Sequence, residues 1–266
     1  MKLLANIILF TALICFFAYS GYHDRLTYEK EQIIYKPITT ISEITLLKSS
    51  VVPPIIYTSV ISLDRLPVAS KKRAFISMIL PSILLIKQNI DIQREHVKSI
   101  LTKYIISKHD QQFLKTLMQR YNVSNPRNLL NKMIVPPNSL IIAQAAVESG
   151  WGTSRFFVQA NNIFGIWSLH AKHESIQASE ARDGYTVRVR RYDSIQQSIQ
   201  SYLLTLATNK HYKAFRQTLI QTKNPYILAE KLKRYSELGR VYTKRLRQVI
   251  LQNNLMQYDD YHLAIN

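Results

Sequence analysis

The residue best placed to do chemistry is Glu148, which ends the apolar run Leu140-Ile141-Ile142-Ala143-Gln144-Ala145-Ala146-Val147 and stands directly before Ser149-Gly150-Trp151-Gly152. Burial among apolar and aromatic neighbours penalises the charged form of a carboxyl group, so such a glutamate stays protonated near neutral pH and can give its proton to a leaving oxygen. Hydrolysis of a glycosidic bond uses that kind of acid together with a second carboxylate across the cleft. Taken alone, Glu148 fits a solvated helix end better, since that is the ordinary setting of glutamate. Trp151, Phe164 and Trp167 follow within twenty residues, and flat apolar rings are what the apolar face of a sugar packs on. Phe164 fits a wedge in the core just as well.

These residues need a frame. Leu140 to Val147 contains no interior Gly or Pro and is apolar on nearly every side, which predicts a buried central helix started by Pro136-Pro137-Asn138-Ser139 and stopped by Gly150 and Gly152. Thr153 or Ser154 can cap a short helix that ends at Asn161-Asn162, and Gly165 lets the chain bend beside Phe164 and Trp167. Residues 168–193 alternate polar and apolar side chains around Asp183-Gly184, a pattern that predicts a β-hairpin in an otherwise helical chain. Its acids are Glu174, Glu180 and Asp183. His170 and His173 lie three apart near Glu174 but lack a third ligand at fixed spacing, so no metal is assigned to them.

QAAVESGWGTSRF at 144–156, followed by NNIFGIW at 161–167, resembles the endo-β-N-acetylglucosaminidases of bacterial walls, glycoside hydrolase family seventy-three, and the Bax-like members in particular. KKRAFI at 71–76 with Asn89 and Arg94, and LKRYSELGRVYTKRL at 232–246, extend the resemblance over residues 51–257. It implies a mainly α, lysozyme-like α+β fold with a small β-hairpin lobe, Glu148 as general acid, and a second acid on the lobe. Glu180 stands nearest to that second position, ahead of Glu174 and Asp183. The resemblance also implies substrate contacts at Tyr192, Tyr242 and Tyr235, peptidoglycan glycan strands as partner, and no cofactor.

Met1-Lys2, the apolar stretch to Ala18 and the small-residue site Ala18-Tyr19-Ser20 read as an export signal over residues 1–20, with an uncleaved membrane anchor as the alternative. The only cysteine, Cys15, lies inside it, so the remaining chain holds together by packing without disulfides. Residues 21–50 read as a variable lead-in, 51–257 as the catalytic domain and 258–266 as a tail. Pro81 interrupts the apolar run 74–86, which predicts a kinked core helix, with separate helices following on Ile90 to Ile105 and Phe113 to Tyr121. Further helices are predicted after the Ser194/Gln197 capping box and from Asn224-Pro225 to Gly239.

Lys and Arg outnumber Asp and Glu by 35 to 17, a net charge of +18 that favours polyanions such as wall polymers, anionic lipid or nucleic acid. No helix-turn-helix, zinc-finger or RNA-binding signature accompanies that charge, and an exported protein does not meet nucleic acid. The reading is therefore an exported, monomeric protein of the periplasm or cell envelope. A non-catalytic wall binder and a muramidase or lytic transglycosylase are the alternatives.

Overall fold

Two helices apolar on all sides set the architecture, because each has to be covered all round. In the computed structural model, which describes residues 33–168, 174–182 and 185–264, the first is α1 (Val68–Leu101). Every residue from Ala74 to Ile86 in it is buried. Its apolar stretch is long enough to cross a bilayer, yet 67% of that window is buried inside the protein, so it is a core helix. The sequence predicts a kinked helix and then a separate one. The structure joins the two as one continuous helix with Pro81 inside it, because nothing between Ile86 and Ile90 breaks the run.

Beyond Ile86 α1 becomes amphipathic. Val97 and Ile100 pack on α2 (Lys108–Tyr121) and α3 (Pro126–Lys132), where Leu114, Leu117, Tyr121 and Leu129 complete a satellite core. The start of α2 is a charged box: the Ser107 hydroxyl accepts from the Asp110 N–H, and the Asp110 carboxylate is met by Lys103 Nζ at 2.7 Å and His96 Nε2 at 3.0 Å. The Lys103 bond, against some desolvation, and the His96 bond lower the Asp110 carboxyl from its ordinary 3.8 to about 2. A depressed carboxyl adds stability that is present above the unfolded value and lost as pH falls towards the folded one. Asp110→Asn is therefore expected to cost about 1 kcal/mol at neutral pH and nothing below pH 2, which urea unfolding at the two pH values would measure.

The second buried helix is α4 (Asn138–Ser149), buried at every position from Asn138 to Ala146. Pro137 offers no side-chain cap, so its first turn is capped from far away. Asp259, in the 3₁₀ turn Leu255–Asp260, accepts from the Ser139 N–H at 2.7 Å and from the Ser139 hydroxyl at 2.8 Å, placing a carboxylate at the positive end of the helix. Residues 258–264 are thus part of the packing. β2 (Val51–Val52) pairs in parallel with β6 (His262–Leu263). The lead-in likewise packs: β1 (Ile34–Lys36) pairs with β3 (Ile55–Tyr57), and Ile38 and Ile44 are buried. Residues Tyr35–Ala264 form one unit. The predicted export signal at residues 1–20 lies outside the described residues.

Around this centre stand α5 (Arg155–Ala160), α6 (Ile195–Thr208), α7 (Lys213–Gln221), α8 (Pro225–Glu230) and α9 (Arg240–Gln252). The predicted hairpin forms as β4 (Ser175–Arg182) and β5 (Tyr185–Arg190), antiparallel, with its register shifting between Gln177 and Ala181. Among the described residues the protein is mainly α with one β-hairpin lobe.

Candidate active site

Glu148 sits in the last turn of α4, half-buried where the helix leaves the core. Three successive residues then have positive φ: Gly150 (59°), Trp151 (59°) and Gly152 (81°). Gly152 has no room for a side chain, because a Cβ would meet the rings of Phe75 and Phe157 and the Leu63 methyl at 3.0–3.3 Å. Gly152→Ala is expected to destabilise by about 3 kcal/mol, combining the left-handed backbone with overpacking. Its check is a melting point lower by about 10 °C. The tight turn swings Trp151 back over α1, edge-on to Phe75 at 5.7 Å and under Lys72 Nζ at 5.2 Å.

Burial holds the Glu148 carboxyl above the usual carboxylate range, opposed by a hydrogen bond from the Tyr242 hydroxyl and by the positive charge of Arg245. Both opposing groups come from α9. Tyr242 is buried and stacks in parallel on Tyr235 at 5.6 Å. The sequence predicts one helix to Gly239, but α8 ends at Glu230, and bonds such as Tyr235 N–H to the Leu232 carbonyl at 2.8 Å make tight turns that carry Tyr235 against Tyr242. Tyr202 on α6 lies edge-on to Tyr235 at 6.1 Å, and Tyr212 lies 6.2 Å from it. Burial, and the charge Glu148 carries when ionised, push all four phenols upward, so they are neutral hydroxyls at working pH.

Glu148, Tyr242 and Tyr235 are thus brought together in the fold. Gln144, Tyr202, Tyr212 and Arg245 join them without having been singled out. The signal for Gln144 is its spacing, four residues before Glu148 on the same helix face. Phe164, expected as a sugar platform or a core wedge, takes the second role, and Tyr192, expected as a substrate contact, is likewise buried. Phe164 stacks flat on Tyr202 at 4.0 Å and backs the tyrosine cluster. Tyr192 turns its hydroxyl to Ser201 at 2.9 Å, with the Arg190 guanidinium 5.2 Å from its ring.

Trp167 is 49% exposed and bridges to Val189, which adds residues 166–168 to the edge of the hairpin. Asn162 builds that edge: its amide nitrogen donates to the carbonyls of Ile166 and Arg190 at 3.0 and 2.8 Å, and its oxygen accepts from the Ile166 N–H at 3.0 Å. Asn161 likewise donates to the carbonyls of Thr58 and Tyr192, each at 2.9 Å. The paired asparagines therefore dock the lobe on the helical body, a role that their position after a helix did not reveal. Glu180 lies on β4 within the register shift, its side chain outside the described residues, as are Asp183, His170 and His173. Glu174 is exposed just before β4. Among the described residues no cluster of His, Cys, Asp and Glu could hold a metal ion.

A carboxyl group held above its usual range by burial at the end of a buried helix, with a phenol acting on it, is the kind of acid a glycoside hydrolase uses. Residues 124–255 match the glucosaminidase family model, described as mannosyl-glycoprotein endo-beta-N-acetylglucosaminidase. The chain is also 30% identical over 192 residues to Protein bax of Escherichia coli (strain K12), covering 66% of this chain and 67% of that protein. The chain belongs to the glucosaminidase family, among its Bax-like members. Among solved structures it is similar to the catalytic domain of the autolysin Auto from Listeria monocytogenes, at 24% identity and a TM-score of 0.38, over 65% of this chain and 96% of that one. It is similar as well to a peptidoglycan hydrolase from Sphingomonas sp. A1, at 22% identity and a TM-score of 0.39, over 55% of this chain and 85% of that one.

Proposed function

We propose that the protein hydrolyses the β-1,4 bond after N-acetylglucosamine in peptidoglycan, in the cell envelope, with Glu148 as general acid. The observation that carries this reading is the environment of Glu148: burial raises its carboxyl, while the neutral Tyr242 hydroxyl stands ready to stabilise the carboxylate left after proton transfer. Glu148 protonates the leaving glycosidic oxygen as the bond to the anomeric carbon breaks. An acid of the hairpin lobe, Glu180 by its place on β4, or the acetamido group of the substrate assists at that carbon, and water completes hydrolysis. Trp167, exposed on the lobe edge, and Trp151 supply sugar-packing faces. The net charge of +18 supports attraction to an anionic wall polymer, weakening as salt rises.

The test is mass spectrometry of the products released from purified peptidoglycan. New reducing ends on N-acetylglucosamine support the reading. Reducing or anhydro ends on N-acetylmuramic acid keep the hydrolase and overturn the bond. Binding to the wall without any release overturns the enzyme.

A further inference from the structure

We propose that Gln144 is a positioning residue for Glu148: its buried amide, pinned by Tyr202, orients the Tyr242 hydroxyl so that its proton points at the Glu148 carboxyl. Gln144 is 0% exposed and lies one helical turn before Glu148. Its Nε2 donates to Tyr242 Oη at 3.0 Å, and its Oε1 accepts from the Tyr202 hydroxyl. Tyr202 is 1% exposed, its ring enclosed by Phe164 on one face and by Tyr235 at its edge.

A phenol has one proton to give. With the amide nitrogen facing Tyr242, a lone pair of Tyr242 Oη is occupied and its proton is left for Glu148. The reverse amide orientation would make Tyr242 spend its proton on Gln144, leaving a lone pair for Glu148 that only a protonated carboxyl could meet. It would also strand the proton of the buried Tyr202, which costs more than the amide gains. Tyr202 therefore decides the orientation of Gln144, Gln144 that of Tyr242, and Tyr242 the ease with which Glu148 becomes a carboxylate. Besides Tyr242, the charged group acting on Glu148 is Arg245 from α9; the phenols of Tyr202 on α6 and of Tyr212 and Tyr235 in the turns around α7 and α8 are neutral and feel the Glu148 charge when it ionises.

The kinetic consequence rests on the proposed hydrolysis; the ionisation of Glu148 does not. The experiment therefore follows both, pairing the pH profile of kcat on purified peptidoglycan with an NMR titration of Glu148 in protein carrying 13C-labelled glutamate side chains. Gln144→Leu leaves the Tyr242 proton in place but no longer aims it, so it is expected to raise the midpoint of Glu148 and the alkaline limb of kcat by about half a pH unit, less than Tyr242→Phe, and to lower kcat about threefold. Tyr202→Phe removes only the pinning hydroxyl and is expected to move both in the same direction by less, which gives the answer should Gln144→Leu not fold. Gln144→Glu can donate to Tyr242 while its own carboxyl is protonated, so its activity should approach the parent's only on the acid side. An unchanged Glu148 midpoint in folded Gln144→Leu or Tyr202→Phe overturns the proposal, whatever happens to kcat. A parent that releases no product overturns the proposed hydrolysis and leaves the NMR result decisive for Gln144.

Discussion

Glu148→Gln is expected to lower kcat on peptidoglycan by about 10³-fold, the range in which a general acid contributes, with little change in wall binding. The substitution keeps the shape of the side chain and its contact with the Tyr242 hydroxyl, now accepted by an amide oxygen. It removes only the proton that the leaving oxygen receives. Folding should not suffer. A carboxyl whose folded-state pKa is raised contributes stability that is full below its unfolded pKa and lost as pH rises through the folded one, because the ionised form is the one burial penalises. The amide does not ionise, so the stability of the variant relative to the parent should grow as pH rises from acid to neutral. Steady-state rates together with melting points at pH 5 and pH 8 check both parts. A folded variant that keeps more than a tenth of the parental rate would remove Glu148 from the mechanism.

Tyr242→Phe should produce the second largest effect and reveals itself by a shift rather than by loss alone. The Tyr242 hydroxyl favours the charged form of Glu148 and so pulls its carboxyl down against burial. Without it the carboxyl rises further. The acid then stays protonated to higher pH, and the alkaline limb of the pH profile moves up. In the same variant the carboxylate formed by proton transfer has lost its hydrogen bond, so kcat at the optimum should fall about tenfold to a hundredfold. Stacking between positions 235 and 242 survives, since phenylalanine keeps the ring. A profile that drops uniformly with no displacement of its alkaline limb would mean that Tyr242 acts on the substrate alone.

Much of the molecule can be read in the chain itself, and the reason is local. The end of α4 is legible because an apolar run meets two glycines, and both take up the left-handed backbone that the turn around Trp151 requires. The hairpin is legible from alternation around a turn dipeptide, and the helices from three-or-four spacing. Errors in the helices fall where periodicity cannot speak. α1 continues past Pro81 and Ile86 because the loss of one donor is tolerated in a helix covered on every side. α8 stops early because tight turns bring Tyr235 onto Tyr242.

The environment of the acid belongs to tertiary structure. Gln144 and Tyr242 are 98 residues apart in the chain and 3.0 Å apart in the fold, and Tyr202, 58 residues away, closes the same network. Asp259 caps a helix by holding Ser139, 120 residues before it, from a segment whose composition looks like a tail. Phe164 has the residue type of a sugar platform, and only its flat stacking on Tyr202 shows that both its position and its role are internal. The sequence by itself determined which carboxyl stands at the end of which buried helix, because helix propensity and glycine stops act over a few residues. Whether that carboxyl is desolvated, and which hydroxyls face it, depends on chains far apart in sequence packing around one point, and there the tertiary structure decided.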